Sequence, residues 1–350
     1  MELDSIGIIR KALSVSDAQF RIPTIPTGLL TLDLMVGGGF PLGRTTSIAG
    51  LGGCGKTTLV WTFLDNVAKL GGVPVLIDTE YYYTEQRVQE LGLTHLAERI
   101  ILKHELTTGT LFTQFKEILE TIASVKGYRF GFIVIDSWSD TPSVEEMTSG
   151  KPGVGIHAKS ARHFFRSALH WMVRFNIGVI FVCQSTKRIS TMPGFKGGST
   201  YLSHDAIFAN SFLEIQMARI KNMKKGGATV GFQTKVDIKK NKLAPPFQEL
   251  TLDYYFHLGY DRARSVLNAL VNLGLSSHSK GWYAIPGTEE KIQAAQLRNN
   301  LKLFDALETL AYEEGMKAST VEIKDVIDGE DLSAPDADIE VEDYTPEEGV

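Results

Sequence analysis

Between positions 50 and 57 the chain reads Gly50-Leu51-Gly52-Gly53-Cys54-Gly55-Lys56-Thr57, a glycine-rich loop closed by a lysine and a hydroxyl residue. Glycine-rich backbone lets successive N–H groups converge on one point, and such a nest of donors holds an anion such as a phosphate chain. At this spacing the Lys56 ammonium reaches the outer phosphates, and the Thr57 hydroxyl is a ligand for Mg²⁺. Thr58 follows on the same turn and completes the cradle.

Such a loop works only between a buried strand and a helix whose N-terminus adds its dipole. The pattern predicts both, with a strand at Thr45–Ala49 and a helix at Lys56–Ala68. Further strands are predicted at Val73–Ile77, Ile100–Lys103, Gly131–Ile135 and Gly178–Val182, separated by helices at Glu85–Leu91, Thr110–Val125 and Ala158–Phe175. Strands that are apolar nearly from end to end, alternating with helices, predict an α/β fold with a mostly parallel central sheet covered on both faces. Ligands of such sheets sit at the carboxyl ends of the strands.

Those ends carry the remaining chemistry. Asp136 follows the strand Gly131–Ile135, where a carboxylate holds a metal through water, although a helix N-cap accounts for the same residue. Glu80 follows the strand that ends in Ile77 and is placed to polarise an attacking water, unless it serves as a salt bridge or a cap. Asp78 is an alternative whose role is to orient the loop. Gln184 ends the next strand, where a neutral amide senses a γ-phosphate without adding charge. The implied ligands are a nucleotide and Mg²⁺.

The chain has 350 residues, with 36 basic and 41 acidic side chains and a net charge of −5. That average conceals a division. Residues 321–350 hold twelve acids and one base, a charge of −11, whereas the first 320 carry 35 bases and 29 acids, a charge of +6. The tail reads as a solvated solubility segment or as an acidic arm competing with a polyanion for a basic surface. Two cysteines, Cys54 and Cys183, suggest no disulfide. No long apolar segment or basic-then-apolar leader occurs, so the expectation is no membrane and a cytoplasmic protein, acting in a host cytoplasm if viral.

Basic residues cluster in three places. The loop from Lys187 to Gly198 contains Arg188, Phe195, Lys196 and Gly197, a composition suited to gripping phosphates and wedging against bases, or to a mobile surface loop. Lys159, Arg162 and Arg166 fall on one helix face, as a phosphate track or a solvated face. A basic turn, Lys221 to Gly227, joins two strands of a hairpin.

Taken together, these residues resemble the RecA family of homologous-recombination ATPases and its phage relatives of the UvsX type. The resemblance spans about Pro26 to Ile292. It runs through Thr27–Asp33, Gly37–Arg44, the phosphate loop, Ile77–Glu80, Ile135–Ser137, Val182–Gln184 and Gly197–Gly198, and is most specific at Lys239-Lys-Asn-Lys-Leu-Ala-Pro-Pro-Phe247. It implies a RecA-type P-loop ATPase core (27–258), a short N-terminal polymerisation segment (1–26), a small α/β C-terminal domain (259–320) and an acidic disordered tail (321–350).

It also implies that Glu80 is the catalytic base and Gln184 the ATP sensor, and that Lys240 and Lys242 reach a neighbouring subunit's ATP. Gly150–Gly155 and Lys187–Asp205 become the two DNA loops. Arg219, Lys221, Lys224, Lys225 and Lys235 become a second, weaker DNA site. Arg87 stands where bacterial members stack a tyrosine on adenine, with Tyr81, Tyr82 and Tyr83 nearby. Cys183 replaces the usual Asn before the sensor, and the added glycines of the P-loop imply a looser loop.

The implied activity is a DNA-dependent ATPase that forms helical filaments on single-stranded DNA, pairs it with homologous double-stranded DNA, and carries ATP at subunit interfaces. Single-strand-binding and mediator proteins are the further partners expected. A ring-forming helicase with the same core is the alternative.

Overall fold

The computed structural model describes residues 22–316, apart from 105–106, 108, 150–154, 188–198 and 202–203. The short apolar helical pattern at Ile6–Leu13, the acidic tail, most of the first DNA loop and Arg188, Phe195, Lys196, Gly197 and Gly198 lie outside the described residues.

In chain order the strands are β1 (Thr24–Ile25), β2 (Phe40–Pro41), β3 (Thr45–Gly50), β4 (Val73–Asp78), β5 (Ile101–Lys103), β6 (Gly131–Asp136), β7 (Ile177–Lys187) and β8 (Ser199–Tyr201). They continue with β9 (Leu213–Lys225), β10 (Ala228–Asn241), β11 (Glu249–Tyr255), β12 (Gly259–Tyr260), β13 (His278–Ser279), β14 (Trp282–Ala284) and β15 (Lys291–Ile292). The main sheet runs β12-β11-β10-β9-β3-β7-β6-β4-β5. From β9 to β5 neighbours are parallel, and β10, β11 and β12 add an antiparallel wing. The mostly parallel α/β sheet predicted from the alternation is the one observed.

Burial follows that alternation. On one face the helix Lys56–Lys69 sets Phe63 against Phe132 at 4.6 Å in an edge arrangement. On the other, Phe115, Phe164 and Phe181 pack around Trp138. Each of these fully buried side chains contributes on the order of 2–3 kcal/mol of transfer free energy. The central strands β3 and β6 are buried along their whole length, β6 as the apolar run Phe132–Ile135 and β3 with the small hydroxyl residues Thr45, Thr46 and Ser47 buried beside Ile48 and Ala49.

Four short helices were not predicted: Leu30–Val36, Thr94–Arg99, Val144–Ser149 and His204–Asn210. Six or seven residues span about two turns, too few for a 3.6-residue period to show. Leu30–Val36 takes its conformation from tertiary contacts. Thr31 bonds the Ser265 hydroxyl, Arg262 donates to the Gly28 carbonyl, and Gly315 lets the helix Leu301–Met316 press on Leu34. Helices Arg262–Asn272, Ala294–Arg298 and Leu301–Met316 and the small sheet β13–β14–β15 therefore share a core with Leu30.

Candidate functional site

Register brings the site together. In the sheet Gly50 of β3 lies beside Gln184 of β7, Val182 of β7 beside Asp136 of β6, and Asp136 beside Asp78 of β4. The phosphate loop and the residues expected to hold the metal (Asp136), to act as base (the segment after Asp78) and to sense the phosphate (Gln184) thus meet at the carboxyl edge of four adjacent strands.

The loop's glycines are required by space as well as by conformation. A Cβ on Gly50 would stand 2.4 Å from the Met217 carbonyl oxygen. Gly55 has φ +99°, and its Cβ would stand 2.3 Å from the Tyr260 hydroxyl. Leu51, Gly52 and Gly53 are exposed, so this part of the cradle faces outward. The looser loop implied by its glycines is not what is found at its second half. Cys54 is buried with its carbonyl accepting from the Thr234 hydroxyl (3.0 Å), and the Gly55 carbonyl accepts from Tyr260 (3.1 Å). The Lys56 ammonium donates to the Gly50 and Leu51 carbonyls at 2.9 and 3.0 Å. Thr58 meets the Tyr254 hydroxyl at 3.3 Å.

Asp136 is buried, and burial pushes its carboxyl up to about 7; its hydrogen bond with Thr57 and the charge of Lys56 pull it back, while Glu80 and Asp78 push it further. A Thr hydroxyl bonded to a buried carboxylate is a hard oxygen pair that fits Mg²⁺, which usually takes one or two protein ligands and fills its shell with phosphate and water. Among the described residues no group of three or more His, Cys, Asp or Glu side chains could hold a metal unaided.

Glu80 is half-buried, and burial raises its carboxyl; Ser137 lowers it again by hydrogen bonding, and neighbouring Asp140 raises it. Asp78 is buried and accepts from the Glu80 N–H (3.2 Å) and the Tyr83 N–H (2.7 Å), which orients the loop carrying Glu80. Gln184 does not end its strand: β7 runs on to Lys187, paired with β8. Its side-chain nitrogen lies 3.6 Å from where a Cβ on Gly52 would be. The Gln184 amide is therefore beside the phosphate loop.

Arg87 is bonded to the Phe256 carbonyl (2.7 Å) and paired with Glu90 (3.3 Å). Of the three tyrosines, Tyr83 packs edge-on against Trp61, Tyr81 stacks on His104 with rings 4.7 Å apart, and Tyr82 is 65% exposed.

Lys240 and Lys242 are not beside their own phosphate loop. In the sheet Lys240 pairs with Glu214, level with Ser47, whereas Gly50 is level with Met217. The Lys242 N–H bonds the Phe212 carbonyl, level with Thr45 at the opposite end of β3. Along the strand the Lys240 level is three residues, roughly 10 Å, from that of Gly50, and the Lys242 level five residues, roughly 16 Å. Lys240 caps the helix His204–Asn210 through the Phe208 and Ala209 carbonyls (2.5 and 2.9 Å), and burial, then Lys242, hold its ammonium below the usual lysine range. Lys242 lies over the Phe212 ring at 5.5 Å.

Lys159, Arg162 and Arg166 are all exposed on the outer face of the helix Ile156–Arg174, whose inner face buries Ala161, Phe164 and Ala168. The turn of the hairpin is not the basic segment expected from the sequence. Lys221, Lys224 and Lys225 lie on β9 itself, and the turn is the Gly226-Gly227 pair with φ +58° and +83°, the primed geometry of tight hairpins. Arg219 is exposed, sits over the Phe232 ring at 4.6 Å and bonds Asn222. Lys235 stands apart from these four, paired with Glu249 at 2.5 Å and Asp237 at 3.1 Å.

Sequence reasoning missed Thr234 and Tyr260, the two braces of the loop. Each is far from residue 55 in sequence, and a lone hydroxyl in a strand carries no signal. It also missed Asp33, whose carboxylate accepts the Thr27 N–H at 2.6 Å and holds the segment entering the fold.

Comparison with known proteins places this geometry. The model of the RecA N-terminal domain matches residues 8–261. The chain is 31% identical to Protein RecA of Aquifex pyrophilus over 267 residues, 75% of this chain and 74% of that protein. It is 30% identical to Protein RecA of Geobacter sulfurreducens over 295 residues, 83% of each, and 31% identical to that of Legionella pneumophila (strain Corby) over 286 residues, 81% and 78%. With a phosphate loop, an acidic strand end, an amide beside the loop and the matched stretch in place, the chain belongs to the RecA family of ATP-dependent recombinases.

Proposed function

We propose that the protein polymerises on single-stranded DNA as a helical filament, pairs that strand with homologous duplex, and hydrolyses ATP at subunit interfaces to reset its DNA affinity. The observation that carries this reading is the separation of Lys240 and Lys242 from the phosphate loop along β3 and β9. Two cations set back along the sheet from the phosphate cradle, one at mid-strand and one at the far end of β3, make each subunit half of two sites. Head-to-tail stacking joins the halves, and where the rotation does not close it builds a filament rather than a ring.

Within the site each side chain has one task. Backbone N–H groups of Leu51–Gly55 and the ammonium of Lys56 bind phosphate oxygens. Glu80, raised by burial and still partly open, accepts the proton of the attacking water. Gln184 hydrogen-bonds the terminal phosphate. Lys240 and Lys242 of the adjoining copy neutralise charge that develops as the phosphoryl group leaves, as an arginine finger does elsewhere. Thr57 and Asp136 would hold Mg²⁺, which when bound neutralises phosphate charge.

Lys159, Arg162 and Arg166 supply phosphate contacts to the first DNA strand, and the exposed bases of β9 sample the duplex. Electron microscopy of the protein with single-stranded DNA and a non-hydrolysable ATP analogue tests the assembly. Helical filaments are expected, and closed rings would move the chain to the helicase class.

A further inference from the structure

Beyond the last rungs of the parallel sheet, side chains take over from the backbone. The final pairs are Asp78 with Asp136 and Asp136 with Val182. One residue further on, the Thr79 hydroxyl accepts the Ser137 N–H at 3.0 Å and donates to the Ser137 carbonyl at 2.9 Å. On the other side of the same segment, the Ser139 hydroxyl accepts the Gln184 N–H at 2.9 Å and donates to the Gln184 carbonyl at 3.4 Å. The same device occurs twice, each time with one hydroxyl bridging both polar groups of one residue on the neighbouring segment. Ser137 in turn donates its own hydroxyl to Asp140.

The geometry points to Thr79 and Ser139 as positioning residues for ATP hydrolysis, which tie the Glu80 segment, the Asp136–Ser137 segment and the Gln184 segment into one strip. The inference rests on Glu80 as base and Gln184 as sensor. Glu80 adjoins Thr79, and Gln184 is the residue that Ser139 clasps. A sensor amide and a base on separate loops could drift independently, and small misplacements of reacting groups cost rate steeply. Here both are referred to the same turn, Ser137–Asp140. β7 continues from Gln184 to Lys187, so the strip is joined covalently to the last described residue before the segment expected to hold DNA.

The loss expected from each change is specific. Ser137 is buried, and its carbonyl also accepts from Thr141 at 3.1 Å, so Thr79→Ala orphans chiefly the Ser137 N–H. Ser139→Ala frees the Gln184 backbone while leaving the Gln184 side chain intact. Neither removes a residue of the phosphate loop, Glu80 or the Gln184 side chain.

The test is steady-state ATP hydrolysis with and without single-stranded DNA, together with affinity for a fluorescent ATP analogue, on the full chain. Ser139→Ala and Thr79→Ala should each lower DNA-stimulated kcat about tenfold, with KM and analogue affinity changed by less than about twofold. Ser139→Thr and Thr79→Ser, which restore a hydroxyl, should recover about half of the loss or more. The double alanine variant should lose little beyond either single one, since both break one strip. Unchanged kcat in the alanine variants overturns the inference. So does a parallel loss of kcat, nucleotide affinity and DNA binding, which marks a merely structural role, or a failure of both hydroxyl-restoring variants. Wild-type protein that does not hydrolyse ATP at all would instead sink the functional reading on which the inference rests.

Discussion

The Tyr260 phenol donates to the carbonyl of Gly55 across 3.1 Å, joining the outermost strand of the antiparallel wing to the residue that closes the phosphate loop. Gly55 is held in the left-handed region, and its missing Cβ is the space that the phenol fills. Tyr260→Phe removes one buried hydrogen bond, worth about 1 kcal/mol, and should weaken ATP binding several-fold without loss of fold. Gly55→Ala strains a left-handed backbone and drives its methyl into the phenol, and should abolish nucleotide binding. Isothermal titration with an ATP analogue, beside urea denaturation, measures both.

Lys56 and Glu80 separate binding from chemistry. Lys56→Ala should eliminate nucleotide-dependent assembly on DNA, because the phosphate cradle loses its cation. Glu80→Gln keeps the shape and should retain ATP and DNA binding while kcat falls by about 10²–10⁴. Normal filaments from the first variant, or retained turnover in the second, would contradict these roles.

The split of the site between copies is open to a mixing experiment. Lys242→Ala and Glu80→Gln subunits should each be nearly inactive alone. Mixed in equal amounts, about a quarter of random interfaces combine an intact Glu80 with an intact Lys242 of the adjoining copy, so hydrolysis should return in part. If the lysines acted within their own subunit, the mixture would stay inactive.

Asp33 makes stability depend on pH. Burial raises its carboxyl from an ordinary 3.8 to about 7, with the Thr27 hydrogen bonds pulling down and Glu308 pushing up. The folded chain therefore holds this proton more tightly than the unfolded chain. Its stabilising contribution is complete below about pH 4 and is lost as pH rises through about 7. Asp33→Asn, which keeps an oxygen for the Thr27 N–H, should flatten the fall in urea midpoint between those limits. A wild-type slope retained in the variant would place the titration elsewhere.

The charge division of the sequence predicts a salt-sensitive brake. Removing residues 321–350 deletes a charge of −11 and leaves a body of +6. Duplex affinity of the truncated protein should rise, most at low ionic strength, where screening is weakest. Fluorescence anisotropy with labelled duplex at two salt concentrations measures it, and an unchanged affinity would return the tail to a role in solubility.

How much of this was legible in the chain follows from distance along it. The phosphate loop is eight consecutive residues whose spacing is itself the signal, and Asp136 and Gln184 are marked by the apolar runs before them. Periodicity placed every long strand and helix between Thr45 and Val182, because each buries a face and burial writes a regular pattern. The hairpin's turn was misplaced, since bases on an exposed strand look the same as bases in a loop.

The braces were invisible for a different reason. Tyr260 and Gly55, Thr234 and Cys54, Thr79 and Ser137, and Ser139 and Gln184 are single polar contacts between segments 45 to 205 residues apart. Nothing local in the sequence requires them. The sequence by itself determined which chemistry is present, because chemistry depends on residue types at short spacing. Only the tertiary structure decided how those groups are held, and that the lysines face away from the loop they would serve, because strand register and direction are properties of the assembled sheet.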